Sequence, residues 1–188
     1  MSERLSRRSF LTLNLEATVG FLGNIIIPQI EQERNFFRPP GSGPELEFLT
    51  SCTRCTKCAE ACPEKIISMF PMQQGAKIAN TPYIDPNVAP CTYCGLCIDS
   101  CPAGALSLNN MSLQKSIGTA EVHGLKCLAF KQVMCDYCVR SCPVQGAISM
   151  VDDKPSVNGQ LCTGCGICVA SCISDDKGIF VQLPEFEN

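Results

Sequence analysis

A short cysteine run recurs four times in this chain, and nothing else in the sequence limits the fold so tightly. The first copy is Cys52-x2-Cys55-x2-Cys58-x3-Cys62-Pro63, and the second is Cys91-x2-Cys94-x2-Cys97-x3-Cys101-Pro102. The fourth is Cys162-x2-Cys165-x2-Cys168-x3-Cys172, with Ile173 in place of proline. The third is stretched: Cys127-x7-Cys135-x2-Cys138-x3-Cys142-Pro143. Together these runs use all 16 cysteines of a 188-residue chain.

Three structures use cysteine at this density: disulfide frameworks, zinc sites and iron–sulfur clusters. Zinc favours closed sites built from two separated pairs. The quartets here are compact, and the chain has 1 His. Cysteines three apart on a tight loop seldom bridge, so a disulfide framework is also a poor match. A cubane [4Fe–4S] core needs one soft thiolate at each of four iron corners. The regular spacing is that of bacterial two-cluster proteins, in which the fourth cysteine serves the other cluster. Glycine in the Cys94-Gly95 and Cys165-Gly166 steps lets the loop backbone come close to such a core. The expectation is four [4Fe–4S] clusters held by all sixteen cysteines. At the third site Cys127 must reach in from a longer loop. The alternative there is a three-cysteine [3Fe–4S] cluster with Cys127 free.

Gaps of 28, 25 and 19 residues separate the runs. Each carries a short apolar stretch (residues 66–69, 105–108 and 147–150), and a further stretch, 179–183, follows the last run. These are strand-sized. Asp85-Pro86 and Asn158-Gly159 are turn signals shortly before the second and fourth runs. The expected fold is α+β: two tandem two-cluster ferredoxin modules, residues 45–112 and 113–188, each with short helices and strands. Sequential pairing of the runs, first with second and third with fourth, is favoured. Nested pairing stays open, because the gap lengths do not decide between them.

Residues 1–44 hold no cysteine. Ser6-Arg7-Arg8-Ser9-Phe10-Leu11 matches a twin-arginine export signal. That reading places the chain on the periplasmic side of the cytoplasmic membrane; a cytoplasmic location is the alternative. The apolar stretch after it is broken by Asn14, Glu16 and Asn24 and is too polar for a membrane span. Membrane contact through residues 10–30 is the weaker expectation. Residues 36–44 are rich in Pro and Gly, which excludes a helix or central strand and suggests a linker.

The formal net charge is -3, without a basic stripe, so nucleic acid is not an expected partner. No acid–base pair, nucleophile arrangement or phosphate loop is present, which points to a carrier rather than an enzyme. Arg54, Lys57 and Arg140 lie inside the motif loops, where a cation would favour a reduced cluster; the plainer reading is solvated charge. His123 is read as an ordinary loop residue rather than a ligand. Tyr93 and Tyr137 are expected to pack over clusters.

The chain resembles the ferredoxin-type proteins of the periplasmic nitrate reductase and methylamine-utilisation systems, the NapF, NapG and MauM group. The marks are Arg38-Pro39-Pro40-Gly41 leading to Phe48-Leu49 and Cys52-x-Arg54-Cys55, the stretched third run, and the twin-arginine start. The resemblance implies sixteen cluster ligands at the positions given. It also implies electron relay between redox partners, a membrane quinol-oxidising subunit on one side and a terminal reductase on the other. The other job the resemblance implies is assembly of a molybdenum-containing reductase, and a structural cluster subunit is a further alternative apart from it.

Overall fold

The gaps between the cysteine runs are too short for long elements, and the chain uses them for two-stranded ladders and helices of one or two turns. The computed structural model describes residues 34–113 and 116–183. The twin-arginine pair and the whole stretch expected to touch a membrane, residues 10–30, lie outside them. The described residues from 35 onward form one compact unit. Among the described residues no helix is long and apolar enough to cross a membrane.

In chain order the elements are α1 (Glu45–Ser51), α2 (Lys57–Ala61), β1 (Ser68–Met69), β2 (Pro82–Tyr83), α3 (Leu96–Asp99) and α4 (Leu108–Leu113). Then follow β3 (Thr119–Val122), α5 (Tyr137–Ser141), β4 (Ile148–Val151), β5 (Lys154–Val157), α6 (Ile167–Ala170) and β6 (Ile179–Gln182). Three antiparallel pairs result: β1 with β2, β4 with β5, and β3 with β6. In the last, Thr119 faces Gln182 and Val122 faces Ile179, which ties the start of the second half to its end. The tight turn of the β4–β5 hairpin is Asp152-Asp153, with φ of 48° and 59°. Positive φ at both centres is what a two-residue hairpin of the right twist requires. Helices and ladders this short are not stable alone, so they depend on what packs between them.

Both sequence-read turns are present. At each, the amide two residues on donates to the turn side chain: Asn87 N–H to Asp85 Oδ1 at 2.9 Å, and Gln160 N–H to Asn158 Oδ1 at 3.0 Å. Strands form in three of the four apolar stretches. The exception is residues 105–108. Ala105 and Leu106 are buried there, but the chain turns into α4 instead. Ser107 is the reason. Its hydroxyl accepts the Asn110 N–H at 3.2 Å, a helix cap, and its own N–H is spent on Gly41 C=O at 2.9 Å.

The segment read as a linker is instead packed into the body. Residues 38–43 are all buried, without helix or strand. Arg38 organises them. Its guanidinium forks onto Glu45, with Nε to Oε2 at 3.0 Å and Nη2 to Oε1 at 2.5 Å. Nη1 donates to Thr81 Oγ1 at 2.8 Å and Pro82 C=O at 2.5 Å. The rings of Phe36 and Phe48 each lie 4.6 Å from its central carbon. Arg38 therefore pins α1 and Phe48 against the β1–β2 ladder. A buried ion pair is justified only by such complete hydrogen bonding.

Two apolar cores lie around the cysteines. One gathers Phe48, Ile66, Ile67, Ile84, Ile98 and Leu106; the other gathers Ile148, Val169, Ile179 and Val181. Phe37 packs against both. Asn87 joins the halves, donating to Val181 C=O at 3.0 Å and accepting Val181 N–H at 2.7 Å.

Removing one member of a buried, hydrogen-bonded ion pair costs about 3–5 kcal/mol. Arg38→Ala should therefore lose its visible absorbance on heating at a clearly lower temperature than the parent protein. A shift worth less than about 1 kcal/mol, the size expected of an exposed pair, would contradict the anchoring role.

Candidate iron–sulfur sites

Four cavities run through the unit, and each is lined by four cysteines. The first, about 330 Å³, takes Cys52, Cys55 and Cys58 from the first run and Cys101 from the end of the second. The second, about 360 Å³, takes Cys91, Cys94 and Cys97 with Cys62. The third, about 350 Å³, takes Cys127, Cys135 and Cys138 with Cys172. The fourth, about 290 Å³, takes Cys162, Cys165 and Cys168 with Cys142. Pairing is thus sequential, and the last cysteine of every run crosses to its neighbour's cavity.

The crossing follows from local structure. The third cysteine of each run, Cys58, Cys97, Cys138 or Cys168, sits inside a short helix and is buried. The fourth comes about one turn later, at or just past the helix end. Cys62 and Cys142 are themselves the C-cap residues, with extended backbone. A cysteine at the exit of the helix faces away from the loop that precedes it.

The loops share a backbone pattern. In the first, second and fourth runs, alternate residues adopt positive φ: Arg54 and Thr56, Tyr93 and Gly95, Gly164 and Gly166. Such alternation turns successive N–H groups toward one concavity, which suits an anion or a sulfur-rich core. The stretched third run lacks the pattern. It places a 3₁₀ turn, Ala129–Lys131, between Cys127 and Cys135, with Gln132 at φ 63° closing the turn. Cys127 nevertheless lines the cavity and is buried. Gly178 makes this fit: a Cβ there would lie 2.6 Å from Cys127 Cα. The Gly178 N–H also points at Cys172 Sγ, 3.2 Å away. Ala120 N–H bears the same relation to Cys162 Sγ at 3.3 Å. Hydrogen bonds of this kind to ligand sulfur tune a cluster's potential.

All sixteen thiols are free of disulfides. Burial pushes several far up. Cys97 and Cys168 rise to about 12, through loss of water first and then through the charge of neighbouring thiolates. Cys58, Cys91 and Cys138 rise to about 11 for the same leading reason. Exposed Cys55 moves the other way, drawn down by the Lys57 N–H and the Thr53 hydroxyl. The buried thiols would keep their protons at neutral pH. Only a bound electropositive centre makes four thiolates in one apolar cavity affordable, so ligation must release protons. The donor set is soft, the walls are mostly apolar (Phe48, Ile67, Ile148 and Ile179 among them), and each quartet surrounds a volume rather than a point. These features fit a polynuclear iron–sulfur core.

The remaining candidates lie around the sites. Arg54 lines the first cavity and donates to Ala76 and Lys77 C=O at 3.2 and 3.3 Å. Arg140 is exposed, pairs with Asp136 at 2.8 Å and lies over the Tyr137 ring. Lys57 starts α2 and contributes to lowering Cys55. His123 lines none of the four cavities; its backbone carbonyl receives the Lys126 and Cys127 N–H groups, each at 2.9 Å. Tyr137 lines the third cavity. Tyr93 lines the second, and its hydroxyl reaches out of it to Thr163 C=O at 2.5 Å. Asn87 and Gly178 escaped the sequence reading. Nothing in their local spacing marks them, because both act on residues distant in the chain or on backbone alone.

Known proteins share the 4Fe-4S ferredoxin character of the chain. The 4Fe-4S dicluster domain family matches residues 51–105 and 90–145. The second of those windows spans the second and third runs, whose cysteines share no cavity; the geometry assigns the pairs. The MauM methylamine utilization ferredoxin-type protein of Methylophilus methylotrophus is 33% identical over 190 residues, covering 94% of this chain and 84% of that protein. The ferredoxin-type protein NapF of Escherichia coli K12 is 37% identical over 145 residues, covering 73% and 80%. The ferredoxin-type protein NapG of the same strain is 33% identical over 160 residues, covering 77% and 69%. This chain belongs to the NapF/NapG/MauM ferredoxin family. The 4Fe-4S dicluster description of the matching family model is in keeping with soft, cysteine-lined cavities.

Gly178→Ala drives a Cβ into the backbone of Cys127 and should cost the third site its core, about a quarter of the bound iron if every site holds one cubane. Gly95→Ala meets open space and should keep full iron, losing only the roughly 1–2 kcal/mol of a left-handed non-glycine residue. Iron quantitation on both purified variants checks this; equal iron contents would contradict the role given to Gly178.

Proposed function

We propose that this chain is an electron carrier holding four [4Fe–4S] clusters, with all sixteen cysteines as ligands, and that it relays electrons within a redox enzyme complex. The observation that carries the reading is the composition of the four cavities: three cysteines of one run and the last cysteine of its partner, four times over. Cys127 keeps this rule despite its long loop, which supports a cubane at the third site over a three-cysteine [3Fe–4S] cluster.

When bound, such clusters store and release single electrons. The chain's own task is to hold them and set their surroundings. Phe48, Ile67, Ile148 and Ile179 shield the inner side of each quartet from water. Backbone N–H groups of Ala120 and Gly178 reach ligand sulfurs and favour added negative charge. The four cysteine-lined cavities are given over to the clusters, and the chain is assigned no substrate site of its own. Electrons would come from a quinol-oxidising membrane subunit and pass to a terminal reductase, as the family resemblance implies.

Anaerobic titration of the holoprotein with dithionite tests this. Uptake of about four electrons per chain, bleaching of the visible band, full recovery on reoxidation and S = 1/2 resonances in the reduced form are expected. A colourless protein, or one that takes up no electrons reversibly, would refute the reading.

A further inference from the structure

Resting on that reading, we infer that the four sites form a single chain in the order first, second, fourth, third, with the crossing between the halves running from the second site to the fourth. Order along the sequence is therefore not order in space.

The junction is unusually close. Cys91, the leading cysteine of the second site, donates its N–H to the carbonyl of Cys165, a cysteine of the fourth, at 2.7 Å. Two lining residues of different cavities are thus hydrogen-bonded directly through backbone. Tyr93 makes the second tie. From the wall of the second cavity its hydroxyl donates to Thr163 C=O at 2.5 Å, between Cys162 and Cys165. The Tyr93 hydroxyl oxygen also accepts the Ile117 N–H at 3.2 Å, so two residues of the second half hold this side chain of the first.

Glycine permits the approach. At Gly166, next to Cys165, an added Cβ would run into the Pro86 carbonyl oxygen of the first half, while at Gly164 one would run into Gly118, within the second half itself. At Gly95, the matching position of the second loop, nothing stands within 4 Å. The same glycine in the same motif is thus a contact surface in one copy and an open turn in the other. The fourth loop is shaped to receive the first half of the chain.

Within each half, adjacency follows from the crossing cysteines. Cys58 and Cys62 are one helical turn apart on α2 yet line the first and second cavities. Cys138 and Cys142 do the same on α5 for the third and fourth. The second and fourth sites are inner, and the first and third are the ends. Tunnelling falls off exponentially with distance, so electrons entering at one end pass the Cys91–Cys165 junction to reach the other. Tyr93 is a positioning residue for that step.

Magnetic coupling between reduced clusters falls as the cube of their separation, which makes the order measurable in the full-length holoprotein. Cys94→Ala/Cys97→Ala removes the second cluster. The first-site resonance should then lose its broadening and relax as an isolated cluster. Cys55→Ala/Cys58→Ala removes the first cluster, and the second-site resonance should stay broadened by the fourth. A first-site signal still broadened without the second cluster, or a second-site signal that becomes isolated without the first, overturns the order. Should either variant fail to fold, anomalous scattering at the iron edge from crystals of the unaltered holoprotein decides. The shortest distance between clusters of different halves should join the second and fourth sites. Four clusters with another shortest pair overturn the order alone, whereas absence of clusters overturns the electron-carrier reading with it.

Discussion

Each cysteine quartet crowds like charge against apolar side chains, with its inner thiols starved of water, and the whole structure depends on how that conflict is resolved. The thiols of Cys97 and Cys168, pushed up to about 12, show its strength in the bare protein. Iron reverses it, because a metal-bound thiolate is the stable form. The cavities are accordingly the centres about which everything else is arranged. The helices that carry the third cysteines have four or five residues, and the ladders two to four per strand. No such element has enough contacts of its own to persist, and each is packed against at least one cysteine quartet.

What remains for the apolar and polar residues is to fix the quartets relative to one another. Arg38 fastens the lead-in segment over the first half. The β3–β6 ladder closes the second half. Asn87, Tyr93 and Gly166 of the fourth loop bring the two halves into close contact. A carrier benefits from this rigidity directly, since the rate between centres depends on their separation more steeply than on any other property the protein controls.

The chemistry of the sites was legible in the sequence because it is local: soft ligands at fixed short spacing leave few alternatives. Which run pairs with which was not, because gap lengths are compatible with more than one path and the answer lies in the exit direction of four short helices. Residues 36–44 read as a linker since Pro and Gly dominate them, and the pattern hid that Arg38 would find Glu45 nearby and Thr81 far along the chain. The stretch 105–108 has strand composition, but a strand needs a neighbour, and Ser107 offers a helix cap instead. Gly178 and Asn87 could not be found from the sequence, because their roles are defined by backbone atoms that only the fold brings near.

The central claim is that cluster-filled cysteine quartets hold this fold together. Far-ultraviolet circular dichroism, followed while iron is chelated anaerobically from the reduced-thiol protein, tests it most directly. The account predicts that ordered structure disappears in step with the iron, leaving a largely unfolded chain. Iron-free protein that kept its spectrum and melted cooperatively would contradict it.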